Sequence, residues 1–144
     1  MKGKPMTFLM SLIALAGAGF LAFAAWVRLA PHDPARWHVD PVTAPDPSTP
    51  NFARRQMQSP LPPDTLRQRL DNTAQAEGAT LLADTDGLVT WVARTRLMGY
   101  PDVVSIRLTP TEEGTTLTAL SRSRFGHSDL GVNAARLDRW LSEP

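Results

Sequence analysis

Hydrophobic residues are distributed in three regimes along the chain. Met6 to Val27 is 22 residues without a charge, rich in Leu, Phe, Ile and Ala and with no polar face. At ~1.5 Å per residue such a helix spans about 33 Å, enough for a ~30 Å hydrocarbon core. Residues 31–63 follow and hold nine of the thirteen prolines, Pro31 to Pro63. Proline fixes φ and pushes its predecessor to extended geometry, so this stretch reads as a semi-rigid arm that spaces a domain from the bilayer. Periodic patterns resume only at Asp64.

There Leu66, Leu70 and Ala74 recur at four-residue spacing, which predicts a helix over Thr65–Glu77 with Asp64 as N-cap and Gly78 as stop. Period-two runs come next. Thr80–Ala83 is short, and Asp86-Gly87 makes a turn. Leu88–Met98 alternates with Val89, Trp91, Ala93, Thr95 and Leu97 on one side. Val103–Thr109 places Val104, Ile106 and Leu108 together, and Thr115–Arg124 alternates less cleanly. A last helix over Leu130–Ser142 has Val132, Leu137, Trp140 and Leu141 as its apolar side. These elements predict an α+β fold: an N-terminal transmembrane helix, then an α-β-β-β-β-α domain with an antiparallel four-stranded sheet and both helices on one face. The implied division is 1–30 for the cytoplasmic tip and membrane helix, 31–63 for the arm, and 64–144 for the soluble domain.

Charge orients the first segment. Lys2, Lys4 and the terminal amine precede it, while Trp26 and Arg28 close it, so the positive-inside rule puts the N-terminus in the cytoplasm and residues 31–144 outside. The lipid bilayer is thus the first expected partner, through Met6–Val27. Ala22-Phe23-Ala24 also has the form of a signal-peptidase site, and cleavage after Ala24 would release the domain. Ala14, Ala18 and Ala22 form a small-residue row, a weak signal for helix pairing.

The formal net charge is +1, but from Pro31 onward twelve arginines face fourteen acids, which argues against nucleic acid as a partner. The absence of cysteine excludes disulfides, thiolate metal sites and cysteine nucleophiles. His32, Asp33, His38 and Asp40 lack zinc-type spacing, and no glycine loop cradles phosphate, so neither metal nor cofactor is expected.

On a four-stranded meander, Arg94, Arg96, Arg107, Arg122 and Arg124 share the sheet face away from the helices. Five guanidiniums there suit a carboxylate or phosphate, or they form an ordinary solvated face balanced by Asp102, Glu112, Glu113 and Asp129. The densest polar stretch is Arg122-Ser123-Arg124 with Gly126-His127-Ser128-Asp129. Ser128 or Asp129 is placed to cap the last helix, and Asn133 either caps or points into a site. His127, Ser128 and Asp129 are adjacent in sequence, so their side chains diverge, against the convergence a nucleophile and its base require.

Two blocks carry a family resemblance. Gly99-Tyr100-Pro101-Asp102-Val103-Val104, and Ser121-Arg122-Ser123-Arg124-Phe125-Gly126-His127-Ser128-Asp129-Leu130-Gly131-Val132-Asn133-Ala134-Ala135-Arg136, resemble the signature of the domain of unknown function 1499 family. The arm around Pro31-His32-Asp33-Pro34 and Trp37-His38-Val39-Asp40-Pro41 is similar to that of alphaproteobacterial, membrane-anchored members. Many members carry an Asn-Cys-Val-Ser-Ser-like segment after the arm, whereas Asn51 is followed here by Phe52-Ala53-Arg54. The resemblance implies a bacterial protein without a settled activity. It marks Ser123, Arg124, Gly126, Ser128, Asp129, Gly131, Asn133 and Arg136 as motif positions.

Three functional expectations follow. The first is a non-enzymatic binding module on the periplasmic side of the bacterial inner membrane, taking an anionic ligand, lipid headgroup or envelope protein partner with Arg94, Arg96, Arg107, Arg122, Arg124, Asp129, Asn133 and Arg136. The second is a hydrolase using Ser123 or Ser128 with His127. The third is a structural or interaction domain with no ligand, whose motif corner of Ser123, Gly126, His127, Ser128 and Gly131 only folds the chain, through Arg124–Asp129 pairing and capping of the last helix.

Overall fold

The computed structural model of the chain describes residues 4–96 and 98–142, so Lys2 and Leu97 lie outside the described residues. The long apolar helix α1 covers Lys4–Leu29, of which Met6–Leu29 is long and apolar enough to cross a membrane. A single turn, α2 (Pro34–Trp37), opens on Asp33, whose carboxylate accepts from the Ala35 N–H at 3.0 Å. Then come β1 (Phe52–Ser59), α3 (Pro63–Ala76), β2 (Thr80–Thr85), β3 (Leu88–Arg94), β4 (Pro101–Thr111), β5 (Gly114–Ser123) and α4 (Val132–Leu141).

The sheet is antiparallel with the order β1-β5-β4-β3-β2, so it has five strands where the hydrophobic pattern predicts four. The additional strand is β1, inside the stretch read as an extended arm. Its sequence, Phe-Ala-Arg-Arg-Gln-Met-Gln-Ser, has no apolar alternation. It is specified by its ladder to β5, from Phe52 opposite Arg122 to Ser59 opposite Thr115. An edge strand with one half-solvated face carries little periodic signal of its own.

One face of the sheet packs on the two long helices of the domain, as the periodicity implies. Leu66, Leu70 and Ala74 of α3 and Leu137 and Trp140 of α4 bury against Val89, Trp91, Val104, Ile106, Leu117 and Ala119. Trp91 and Trp140 meet edge-on at 5.6 Å, an arrangement favoured by the ring quadrupoles.

The opposite face is not solvated. Thr90, Val103, Ser105 and Leu120, which point that way by strand alternation, are all fully buried. The arm covers them. His38 Nδ1 lies 2.8 Å from Thr90 Oγ1, and Arg122 donates to the Trp37 carbonyl at 3.0 Å while stacking over its ring. Arg107 forms an ion pair with Asp40 at 2.6 Å. Arg54 of β1 reaches the carbonyls of Pro41 and Ala44 and the Asp46 carboxylate. The proline-rich segment is therefore a third layer rather than a spacer.

That layer continues into α1. Ala24, Val27 and Ala30 are buried, and Trp26 packs against Phe125 at 5.2 Å. Gly99, with φ +70°, approaches so closely that a Cβ there would lie 2.8 Å from Arg28 Nε. Arg94 donates to the Arg28 carbonyl at 2.9 Å, and Arg124 to those of Pro31 and Ala30 at 2.7 and 3.3 Å. Carbonyls at the end of a helix lack intrahelical donors and carry partial negative charge, so arginine is a favourable partner for them.

Substituting Arg107 and Arg122 together by alanine removes the two charged anchors at the middle of the arm. We expect limited proteolysis within residues 38–47 to accelerate about tenfold or more, since charge-assisted bonds contribute on the order of 1.5–3 kcal/mol each. Amide exchange in the β4–β5 ladder should stay slow. Unchanged cleavage would show that other contacts hold the arm.

Candidate functional site

After β5 the chain stays beside β4 for one more residue, with the Arg124 N–H bonded to the Pro101 carbonyl at 3.1 Å. It then runs through Phe125-Gly126-His127-Ser128-Asp129-Leu130-Gly131 into α4. Asp129 organises this corner. Its Oδ1 accepts from the Gly131 N–H at 3.1 Å, and its Oδ2 accepts from the Asn133 N–H at 2.8 Å. It thus satisfies a donor in the first turn of α4, the capping role its position suggests. Ser128 Oγ accepts from Leu130 N–H at 3.3 Å.

Asn133 is the hub beneath it. The side chain is fully buried. Its Nδ2 faces Asp129 Oδ2 at 2.7 Å, Ser123 Oγ at 2.9 Å and the Asn51 carbonyl at 3.1 Å. Two amide hydrogens thus serve three acceptors, with one bond shared. Its Oδ1 accepts from Ser121 Oγ and, at 3.3 Å, from Arg136. Asn51, just ahead of β1, ties the edge strand to the same point, donating to the Gly126 carbonyl at 2.6 Å.

The second component is a buried ion pair. Arg136 Nη1 lies 2.8 Å from Asp102 Oδ2, with the two side chains 4% and 2% exposed. Asp102 stands opposite Ser123 in the ladder and accepts from its hydroxyl at 2.7 Å. Burial raises the Asp102 pKa above the ordinary carboxylate value, outweighing the pull of Arg136 and the Ser123 bond. Asp129 goes the other way. Its burial would raise it, but the bonds from Asn133 and Gly131 outweigh that and lower it.

These positions change the reading of the arginines. Arg94, Arg107, Arg122 and Arg124 hold the arm and the end of α1, and Arg136 holds Asp102. Arg96 falls in the turn beyond β3, not on the sheet face, and is exposed without a partner among the described residues. The expected Arg124–Asp129 pair does not form, because Arg124 donates to the Ala30 and Pro31 carbonyls and Asp129 accepts from Gly131 and Asn133. Asp102 and Asn51 belong to the corner although the sequence does not single them out. Their only signal was placement: Asp102 in the Gly99–Val104 block, Asn51 beside the point where the family pattern departs. The hydrolase constellation does not assemble. Ser123 Oγ is engaged with Asp102 and Asn133, Ser128 Oγ with a backbone N–H, and exposed His127 bonds to neither serine.

Two clefts flank the corner. The smaller, about 330 Å³, is lined by Tyr100, Asp102, Ser123, Phe125, Asp129 and Leu130, among others. The larger, about 660 Å³, lies across Thr95 and Val132 from it and is lined by Arg94, Arg96, Arg136, Arg139 and Glu77. Arg139 is paired with Glu77 at 2.8 Å.

A family model described as "Protein of unknown function (DUF1499)" matches residues 28–143, which include the whole corner, both clefts and the arm. The chain belongs to the DUF1499 family. Among solved structures, a protein from Mesorhizobium loti is similar at 15% identity, covering 63% of this chain and 96% of its own, with a TM-score of 0.47. A protein from Chromobacterium violaceum is similar at 14% identity, covering 65% and 94%, with a TM-score of 0.41. No curated protein matches the sequence. The DUF1499 match begins at the last turn of α1, so the arm that lies on the sheet is family sequence while most of the apolar helix precedes it.

Removing one partner of the buried pair strands the other charge. Asp102→Ala should therefore lower unfolding free energy by roughly 3–5 kcal/mol in chemical denaturation. The lowered Asp129 pKa gives a pH signature. An acid with a depressed folded pKa stabilises above its unfolded value, ~3.9, and that contribution disappears as pH falls through it toward the folded value. Asp102, with its raised value, acts oppositely above ~3.9, where the unfolded state binds fewer protons. We expect Asp129→Asn to flatten the loss of stability below about pH 4 and, because the Asp129 charge helps to raise Asp102, to make the opposing slope above it no steeper. Identical acid limbs in Asp129→Asn and the parent chain would assign that loss elsewhere.

Proposed function

We propose that this DUF1499 member is a non-enzymatic binding module held at a membrane by α1, and that its ligand is an anionic group taken up in the larger cleft. The observation that carries this is Arg96. It is a guanidinium without a partner among the described residues, at a cleft that also holds Arg94, Arg136 and Arg139, against one carboxylate, Glu77. Arginine's planar fork suits a phosphate or carboxylate, and Arg139 can rotate from Glu77 toward a more highly charged group.

The position of the cleft favours an anion presented at the bilayer surface. Arg94 forms one wall of it and also donates to the Arg28 carbonyl at the end of α1. A phosphate beside that helix terminus would sit at headgroup level. Lys2 and Lys4 support an N-terminus in the cytoplasm, and with it a domain outside, at the periplasmic face of an inner membrane. The packing of residues 24–31 on the domain supports retention of α1, because cleavage after Ala24 would remove part of that packed segment. The corner of Asn133, Asp129 and Ser123 is internally satisfied, which supports a scaffolding role for it beside the cleft rather than direct ligation.

The test uses the full chain in a neutral maltoside micelle, with arginine Nε–H resonances as the readout. Inorganic phosphate and a short-chain phosphatidylglycerol are titrated separately. Saturable shifts at Arg96 and Arg139 are expected, stronger with the lipid if the headgroup is the source. Arg96→Ala with Arg139→Ala should weaken binding about tenfold or more, as loss of one or two charge-assisted contacts implies. Added salt should weaken it further. No saturable shift with either probe, or equal affinity in the double variant, refutes the reading.

A further inference from the structure

The helix α1 and the domain touch at a depth that has a consequence for the loop between β5 and α4. The apolar span Met6–Leu29 has 24 residues. At ~1.5 Å per residue it is about 36 Å long, so centred on a ~30 Å hydrocarbon core it projects roughly 3 Å at each end. Ala24 then lies on the order of 4 Å inside the hydrocarbon boundary and Trp26 close to it. Yet Ala24 is only 8% exposed and Val27 1%, because the domain packs on them, and the Trp26 ring meets Phe125 of the loop. A domain that covers Ala24 reaches below the headgroups on that side.

The loop carries the residues such a location requires. Leu130 is 94% exposed, the highest value among the exposed large hydrophobic side chains. It is also held at φ +52°, a left-handed conformation that is unfavourable for a branched apolar residue. Asp129 enforces that geometry through its bonds to Gly131 and Asn133. The fold therefore holds in strained backbone an apolar side chain that buries nothing within the chain. Phe125 and Leu130 line the same small cleft, so they belong to one edge of the domain. The motif polar network beneath them keeps that edge rigid.

We infer that the Phe125–Gly131 loop is a second membrane contact, immersed in the interfacial layer of the same bilayer that α1 crosses, with Leu130 directed into the acyl region and Phe125 beside Trp26 at the boundary. An apolar side chain leaving water for that layer recovers transfer free energy that offsets the backbone strain, and an aromatic pair suits the interface. The two contacts lock the domain's tilt, so the arginine cleft opens at a constant depth, level with the headgroups. The inference rests on α1 spanning the membrane and is independent of any ligand in that cleft.

The absence of cysteine allows a direct test. Single cysteines are introduced at Leu130→Cys, Glu112→Cys and Phe20→Cys in the full chain and labelled with an environment-sensitive fluorophore. Each is reconstituted in phosphatidylcholine nanodiscs with and without doxyl-labelled lipid. Glu112 lies in the β4–β5 turn, separated from Pro101 by a strand of eleven residues, or roughly 33 Å at ~3.3 Å per residue. Phe20 marks the middle of the span. We expect the label at 130 to be blue-shifted and quenched several-fold more than at 112, approaching the label at 20. Near-ultraviolet circular dichroism of the Trp91–Trp140 pair verifies folding of each variant. If position 20 is quenched and 130 behaves like 112, the loop is in water and the inference fails while the anchor stands. If position 20 is also unquenched, α1 is not in the bilayer and both fail.

Discussion

Arginine side chains on one sheet face donate to the main chain of the segment that leaves the apolar helix α1, and the architecture depends on those bonds. Arg94, Arg122 and Arg124 together reach the carbonyls of Arg28, Ala30, Pro31 and Trp37, while Arg107 holds Asp40. A proline-rich segment has few N–H donors and its carbonyls find no helical or ladder partners, so it cannot satisfy itself once it is packed. Guanidinium forks supply the missing donors. The consequence is a sheet covered on both faces, by α3 and α4 on one side and by residues 24–46 on the other. With that second layer in place, the domain is continuous with the end of α1 and has no flexible tether between them.

The polar corner plays a complementary role at the α4 end. Asp102, Arg136, Asn133, Ser121 and Ser123 replace apolar contacts with a network in which most groups have partners. Such a network adds less net stability than well-packed hydrophobic residues would, because both charges of the Asp102–Arg136 pair are desolvated. Its effect is geometric. Asn133 joins the first turn of α4, the end of β5 and the residue before β1, three segments distant in sequence. The loop between β5 and α4 is consequently rigid enough to hold Leu130 in a left-handed conformation that an isolated chain would leave.

Legibility of these features follows from how local their causes are. The stripe Leu66, Leu70, Ala74 and the alternation around Val89–Ala93 and Val104–Leu108 report burial of one face at the period of the element itself, and those elements are present. Asp129 as a cap is legible for the same reason, since the N–H donors it accepts from lie two and four residues away. β1 was not, because Phe52–Ser59 is a strand only through its partner β5 more than fifty residues on. Arg94, Arg107, Arg122 and Arg124 share one sheet face, as strand alternation implies, but their partners lie in a segment whose prolines suggest extension into solvent.

By itself, then, the sequence determined the apolar helix, the order and type of the periodic elements, the family signature and the helix cap. All of these depend on residues within a few positions of one another or on length and composition alone. Only the tertiary structure decided that the arm folds back, that a fifth strand forms at the edge, that Asp102 and Arg136 are buried together, and that Arg96 stands beside a cleft without a partner among the described residues. Each of those outcomes is a pairing between distant segments, chosen because buried donors, acceptors and charges must find partners wherever in the chain they lie.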